Sequence, residues 1–262
     1  MKTKLLIILI LAVVMATSCK KESKAPAVDI TTDELSNIAA TTPQTFAKLE
    51  SFMLDALSKA AASGINIDAP PTEKSAKVEL SKIMRLKSAK TTPGWTGPDA
   101  DGWYTMYYES YGLKYTEKIR CKDTTLTYII SQEYSGADGS YSNVTETQYT
   151  KYTKNNKVLW KGFTDWKVKT FGDNDISDFE WKFEFNDWNP KTGAGIYDWY
   201  WGANSQGGGY EPFQRYLNII AMEKTADLIH VKVTWYDGAV SQGSFEYDTN
   251  WEPIEMPTTP CQ

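Results

Sequence analysis

The side chains able to do acid–base or metal chemistry are few and scattered. His230 is the only histidine in 262 residues. It falls on the polar side of an alternating stretch, so a histidine triad or a transition-metal site lacks its usual nitrogen donors. Glu180, Glu184, Asp187 and Asp198 are candidates for the paired carboxylates of glycoside hydrolysis, but acids alternating with aromatics along a strand read first as a solvated face. The sequence contains no Gly-x-Ser-x-Gly elbow, phosphate loop or dinucleotide fingerprint. Gly172-Asp173-Asn174-Asp175 is an oxygen-rich turn that suits a hard cation, yet it lacks the spacing and closing Glu of an EF-hand. A non-enzymatic protein without metal or cofactor is the favoured expectation.

The aromatic residues are more informative. With 10 Trp and 16 Tyr the chain carries more rings than a core needs by default. They concentrate in Tyr197-Asp198-Trp199-Tyr200-Trp201-Gly202-Ala203-Asn204 and in Trp103-Tyr104-Thr105-Met106-Tyr107-Tyr108. Only alternate strand residues point to one face, so rings at successive positions exceed the needs of a single buried face. Trp103, Tyr107, Tyr197, Trp199, Tyr200, Trp201 and Asn204 are the candidate ligand-binding residues. Such a set can line a hydrophobic cavity with Met106, Phe183 and Ile220, or stack on sugar rings while amides and carboxylates bond the hydroxyls. It can also be spent on core packing and cross-strand ladders.

Cysteine chemistry sets the compartment. Met1-Lys2-Thr3-Lys4 is a positive start, Leu5 to Met15 is apolar, and the small residues Ala16-Thr17-Ser18 precede Cys19. The apolar run is shorter than the roughly 20 residues of a spanning helix and has the form of a cleavable signal. With Cys19 and the polar Lys20-Lys21-Glu22-Ser23 after it, this segment resembles the lipobox of Bacteroidetes lipoproteins, with Ala16 in place of the usual Leu. The resemblance covers about the first 24 residues. It implies removal of residues 1–18, a diacylglycerol thioether and amino-terminal acylation on Cys19, and anchorage to the cell envelope, the outer membrane being favoured. Several acyl chains on one residue hold stably where one holds marginally. In the same lineage, Asp123-Thr124-Thr125 resembles the tripeptide at which exported proteins are O-glycosylated, with Thr124 as acceptor. Cys121 and Cys261 then remain as an even pair in an oxidising compartment, able to pair or to stay as two thiols.

The elements that must position these groups follow from periodicity. Residues 19–40 read as a lipidated tether and 41–90 as a helical segment. Thr41 or Thr42 would cap the first helix, Pro43 would stand at its first turn, and Phe46, Leu49, Phe52, Met53, Leu57 and Ala60 would form its apolar stripe up to Gly64. A second helix is expected over 73–87. From 91 to 262 the period is two, clearest in Phe179-Glu180-Trp181-Lys182-Phe183-Glu184-Phe185. Other strands are expected at 103–111, 113–122, 125–134, 141–153, 157–171, 196–203, 213–223, 229–236 and 243–251. Short turns between them predict a mainly β antiparallel meander of about ten strands, closed as a barrel or curved as a half-barrel, with one or two N-terminal helices on it.

The formal charge of −5 and the lack of a basic stripe argue against nucleic acid as a partner. The membrane is the expected partner, through Cys19. The leading expectation for function is a lipoprotein that binds a hydrophobic ligand in an aromatic-lined β cavity, loosely resembling periplasmic lipid-carrier half-barrels. Surface glycan binding through exposed rings, and a structural or assembly role, are the alternatives.

Overall fold

The computed structural model describes residues 30–65, 94–110, 112–136, 139–171, 176–205 and 215–256. The expected signal, Cys19, the first half of the expected tether, the expected second helix, the turn at 172–175 and Cys261 lie outside the described residues. The chain divides into two compact units, Met1–Ile30 and Thr31–Gln262; the second holds every element below.

Helix α1 spans Thr32–Ala62. It begins about ten residues before the expected cap, so residues 32–40 are helical rather than tether. The reason is a capping box at its start. Thr31 N–H donates to Glu34 Oε2 at 2.8 Å, and Glu34 N–H donates to Thr31 Oγ1 at 3.2 Å. Asp33 and Glu34 in the first turn and Lys59 in the last complement the helix dipole. One stripe is buried, from Leu35 and Ile38 through Phe46, Leu49 and Met53 to Ala60. Pro43 therefore lies inside the helix on its exposed side, where it has no N–H to give to the carbonyl one turn back. Pro43→Ala is expected to stabilise the protein by about 1–3 kcal/mol, read as a higher urea midpoint with unchanged slope; an unchanged or lower midpoint contradicts this.

Eleven strands follow: β1 (Trp95–Thr96), β2 (Tyr104–Ser110), β3 (Leu113–Lys122), β4 (Thr125–Gly136), β5 (Gly139–Lys154), β6 (Lys157–Phe171), β7 (Ile176–Trp188), β8 (Gly195–Ser205), β9 (Arg215–Glu223), β10 (Leu228–Asp237) and β11 (Val240–Asn250). They form one antiparallel sheet in sequence order. The meander is open: β1 and β11 are its edges, and it does not close into a barrel.

Alternation gives the sheet a covered and an open face. Trp166, Trp181, Phe183, Phe185, Tyr197, Trp199, Trp201, Leu217, Val233 and Trp235 are buried on the first. Helix α1 packs there: Phe46 stacks on Trp181 at 5.2 Å, and Phe52 meets Tyr197 at 5.3 Å and Trp251 at 5.4 Å. The end of the described chain joins this layer through Trp251 Nε1, which donates to the Pro190 carbonyl at 3.0 Å, and Ile254 N–H, which donates to the same carbonyl. Packing of α1 on the rings of β7 and β8 takes this part of the covered face out of water.

Candidate functional site

The open face of β8, β9 and β10 carries the most organised exposed surface. Register alone assembles it into cross-strand rows. Tyr200 stands opposite Tyr216, and Tyr216 opposite Tyr236. Their rings stack at 4.8 Å and 10°, then at 4.9 Å and 27°. Two residues along each strand, and so next on the same face, Glu184, Asp198, Asn218, Thr234 and Ser244 form a polar row from β7 to β11. Two residues further again on the open face, Ile196 and Ile220 are paired and exposed, with exposed Met222 beyond.

The polar row is wired to the tyrosines. Tyr216 Oη donates to Asp198 Oδ1 at 2.7 Å, and Asn218 Nδ2 donates to the same oxygen at 2.7 Å. Neither bond uses the second carboxylate oxygen. Partial burial, followed by the charges of Asp198 and Glu184, pushes the Tyr200 phenol up to about 12. Burial and then the bond to Asp198 raise Tyr216 as well. Both phenols are therefore neutral at physiological pH and act as hydrogen-bonding groups. Rings stacked face to face at the spacing of adjacent strands stand upright on the sheet, so the ladder presents phenol edges to solvent and open ring faces only at its ends.

The residues singled out from sequence separate into three places. Tyr197, Trp199 and Trp201 are 0 %, 2 % and 4 % exposed and belong to the covered face. Tyr200, between them, is on the open face, whereas Asn204 lies opposite Asp178 further along β8. Trp103 and Tyr107 belong to the β2 end of the sheet; Arg120 lies over the Trp103 ring at 4.3 Å, and Tyr107, 50 % exposed, donates its hydroxyl to Glu109. Met106 and Phe183 are on the covered face, while Ile220 is exposed on the other, so these three do not border one cavity. The acids each have partners. Glu180 pairs with Lys167 at 3.2 Å and Glu184 with Lys182. Asp187, at φ 50, is the bulge residue of β7: its N–H donates to Tyr152 Oη at 3.1 Å, and its carboxylate takes Lys154 Nζ at 2.6 Å. Thr124 is exposed on the two-residue turn between β3 and β4. Cys121 is disulfide-bonded; both other cysteines of the chain lie outside the described residues.

Three features were not singled out from sequence. Tyr216, Asn218 and Tyr236 join the site through pairing across strands, and no local pattern marks them. Glu117 is buried on the covered face, in phase with Leu113 and Ile119, and accepts the Tyr115 hydroxyl. A carboxylate at an apolar position of the alternation is the signal that could have found it. Burial and then the Glu117 charge push the nearby Tyr128 phenol well above its ordinary value. The third is a set of indole donors. Trp166 Nε1 donates to Asn143 Oδ1 at 2.8 Å, but Nε1 of Trp181, Trp188, Trp199 and Trp201 meets no acceptor among the described residues.

His230 sits on the open face beyond the aliphatic row. Nδ1 is 2.8 Å from Asp248 Oδ1 and Nε2 is 3.3 Å from Glu246 Oε2. Lys224 pairs with Asp248, and Lys232 lies 3.6 Å from Glu246. Among the described residues, no three His, Cys, Asp or Glu side chains converge as a metal-binding set. Hydrogen bonds to Asp248 first and Glu246 second raise the His230 pKa above its ordinary value. A raised folded pKa contributes stability that is fully present below the unfolded value of about 6.5, and that is lost as pH rises through the folded value. The single ring makes the measurement direct: its proton NMR midpoint is expected above about 6.5 and lower in Asp248→Asn. A wild-type midpoint at or below that value contradicts the assignment.

The fold and this surface define a class: an open antiparallel meander packed on one long helix, with a tyrosine ladder on its free face. Compared with protein-family models, curated proteins and solved structures, the chain finds no match.

Proposed function

We propose that this chain is a lipid-anchored envelope protein whose open β8–β10 face binds a hydroxyl-rich glycan. The observation that carries the reading is the partly exposed Tyr200–Tyr216–Tyr236 ladder running beside a row of carboxylate, amide and hydroxyl groups, Asp198, Asn218 and Thr234. Rings supply apolar C–H contact, and the adjacent row supplies donors and acceptors at the strand spacing. The anchor rests on the Cys19 motif, which would hold this surface outside the cytoplasm; incorporation of labelled palmitate by the wild type and its loss in Cys19→Ser test that part.

Affinity electrophoresis of the lipidated protein in mild detergent through gels containing laminarin, glucomannan or arabinoxylan tests the surface. At least one polymer is expected to retard the wild type, and Tyr216→Ala/Asn218→Ala, which removes the middle rung and the amide beside Asp198, is expected to weaken that retardation about tenfold, about 1.4 kcal/mol. Equal mobility of the wild type in every gel sinks the reading.

A second reading has its own support. Indole N–H donors at Trp181, Trp188, Trp199 and Trp201, buried without acceptors among the described residues, suit a hydrophobic ligand carrying acceptor oxygens, admitted between α1 and the sheet. Unpaired buried donors are costly enough to call for an explanation. Native mass spectrometry of protein taken from its own envelope decides: a retained lipid mass favours this reading, and a bare protein mass removes it.

A further inference from the structure

The tyrosine ladder ends asymmetrically. At the β7 end, the residue opposite Tyr200 is Lys182, held by Glu184 and lying 5.4 Å from the Phe163 ring. At the β11 end, the residue opposite Tyr236 is Ser241, exposed and without a ring. A bulge between Trp235 and Tyr236 shifts the register there, so the last rung faces a widened stretch of edge strand made of small or uncharged residues, Ser241, Gln242, Gly243 and Ser244. Gln242 is turned back along its own strand, its Nε2 donating to the Val240 carbonyl at 3.3 Å. Among the described residues, no ring stacks on the β11 side of Tyr236, whereas its other side is covered by Tyr216.

We infer that the β11 side of Tyr236 is the stacking position for one ring of the ligand, a neutral pyranose, which continues the ladder as its fourth rung above Ser241; this rests on the glycan reading above. Two observations select that occupant. First, the rungs already repeat at 4.8 and 4.9 Å, which leaves a place one strand spacing further on that a flat ring can fill with its apolar face on Tyr236. By register its neighbours on the open face are Ser241, Thr234 and Ser244, all neutral hydrogen-bonding residues. Second, four acids on the neighbouring open face, Glu184, Asp198, Glu246 and Asp248, stand among four basic groups that three of them already engage. Lys182, Lys224, Lys232 and His230 are engaged by Glu184, Asp248 and Glu246. A uronic or sulfated sugar would find these cations already committed and would compete with a carboxylate for any one of them, whereas a neutral sugar needs none.

The test uses the full lipidated chain in mild detergent, with affinity gels of laminarin, glucomannan, arabinoxylan and, as the anionic probe, polygalacturonate. Ser241→Phe fills the fourth rung with a ring of the chain's own and is expected to reduce retardation in the responsive neutral gel at least tenfold. Tyr236→Ala is expected to do the same, and Tyr236→Phe to keep it within about threefold, since a face rather than a hydroxyl is used. Thermal unfolding of each variant confirms that the sheet is intact. Undiminished retardation of a folded Ser241→Phe, while Tyr216→Ala/Asn218→Ala loses it, overturns the fourth rung and leaves the glycan surface standing. Stronger retardation in polygalacturonate than in any neutral gel overturns the neutral class. A wild type that no gel retards removes the glycan reading and this inference with it.

Discussion

Trp181→Ala is expected to destabilise the protein by about 3–5 kcal/mol, the range of Trp truncation in a packed core. Trp181 is 2 % exposed and sits where three layers of contact converge: Phe46 of α1 stacks on it at 5.2 Å, Trp166 of β6 lies at 5.6 Å and Trp199 of β8 at 6.4 Å. Removing the indole leaves a void between helix and sheet that no one neighbour can fill, because each is held by its own strand or by the helix. Against a typical total of about 5–15 kcal/mol, that loss is a large share. Tyr200→Ala provides the contrast. It removes one ring from the open face and is expected to cost no more than about 1 kcal/mol, the scale of a cross-strand pair. Urea denaturation of both variants checks the assignment of faces, and a Trp181→Ala loss below that of Tyr200→Ala would overturn it.

Gly162→Ala is expected to cost about 3 kcal/mol, the upper end of overpacking. A Cβ at Gly162 would lie 1.9 Å from the Gln148 carbonyl oxygen and 2.8 Å from Phe185 Cζ. The oxygen belongs to the backbone of β5, which the ladder holds on both sides, so no side-chain rotation relieves the contact. Gly162 stands between Tyr149 and Phe185, its cross-strand partners. The absence of a side chain lets those two rings approach to 5.8 Å across it. Gly238 separates packing from backbone conformation: its φ is +58 with nothing within 4 Å of an added Cβ. Gly238→Ala should therefore lose only the left-handed backbone preference, about 1 kcal/mol. If calorimetry finds the two alanine variants equally stable, the close approach at Gly162 is wrong.

Much of the meander was legible because period two is a local property. The expected strands at 113–122 and 157–171 coincide with β3 and β6, and turns such as Lys154-Asn155-Asn156-Lys157 stand between consecutive strands, with Asn155 and Asn156 at positive φ. The helix start was less legible. Polar residues after Cys19 and a proline at 43 suggest a tether ending near 41, while the capping box at Thr31 and Glu34 and the buried stripe through Leu35 and Ile38 extend the helix upstream. Propensity lost to packing there, since the sheet rewards a continuous stripe despite the proline.

Within the site, strict alternation on β8 already groups Tyr197 with Trp199 and Trp201 and sets Tyr200 apart; the sequence therefore contained the division of that strand into covered and open residues. By itself it also determined the strand-and-turn grammar, the single histidine and the Cys19 motif, all features of neighbouring residues. Only tertiary structure decided that Tyr200, Tyr216 and Tyr236 share a row, that Asp198 receives both Tyr216 and Asn218, and that the ladder stops at Ser241. These are matters of register between strands, and register is set by which face the helix covers and by the bulges at Asp187 and Tyr236. A one-residue slip would reverse every face, so the composition of the row exists only once the whole sheet is paired.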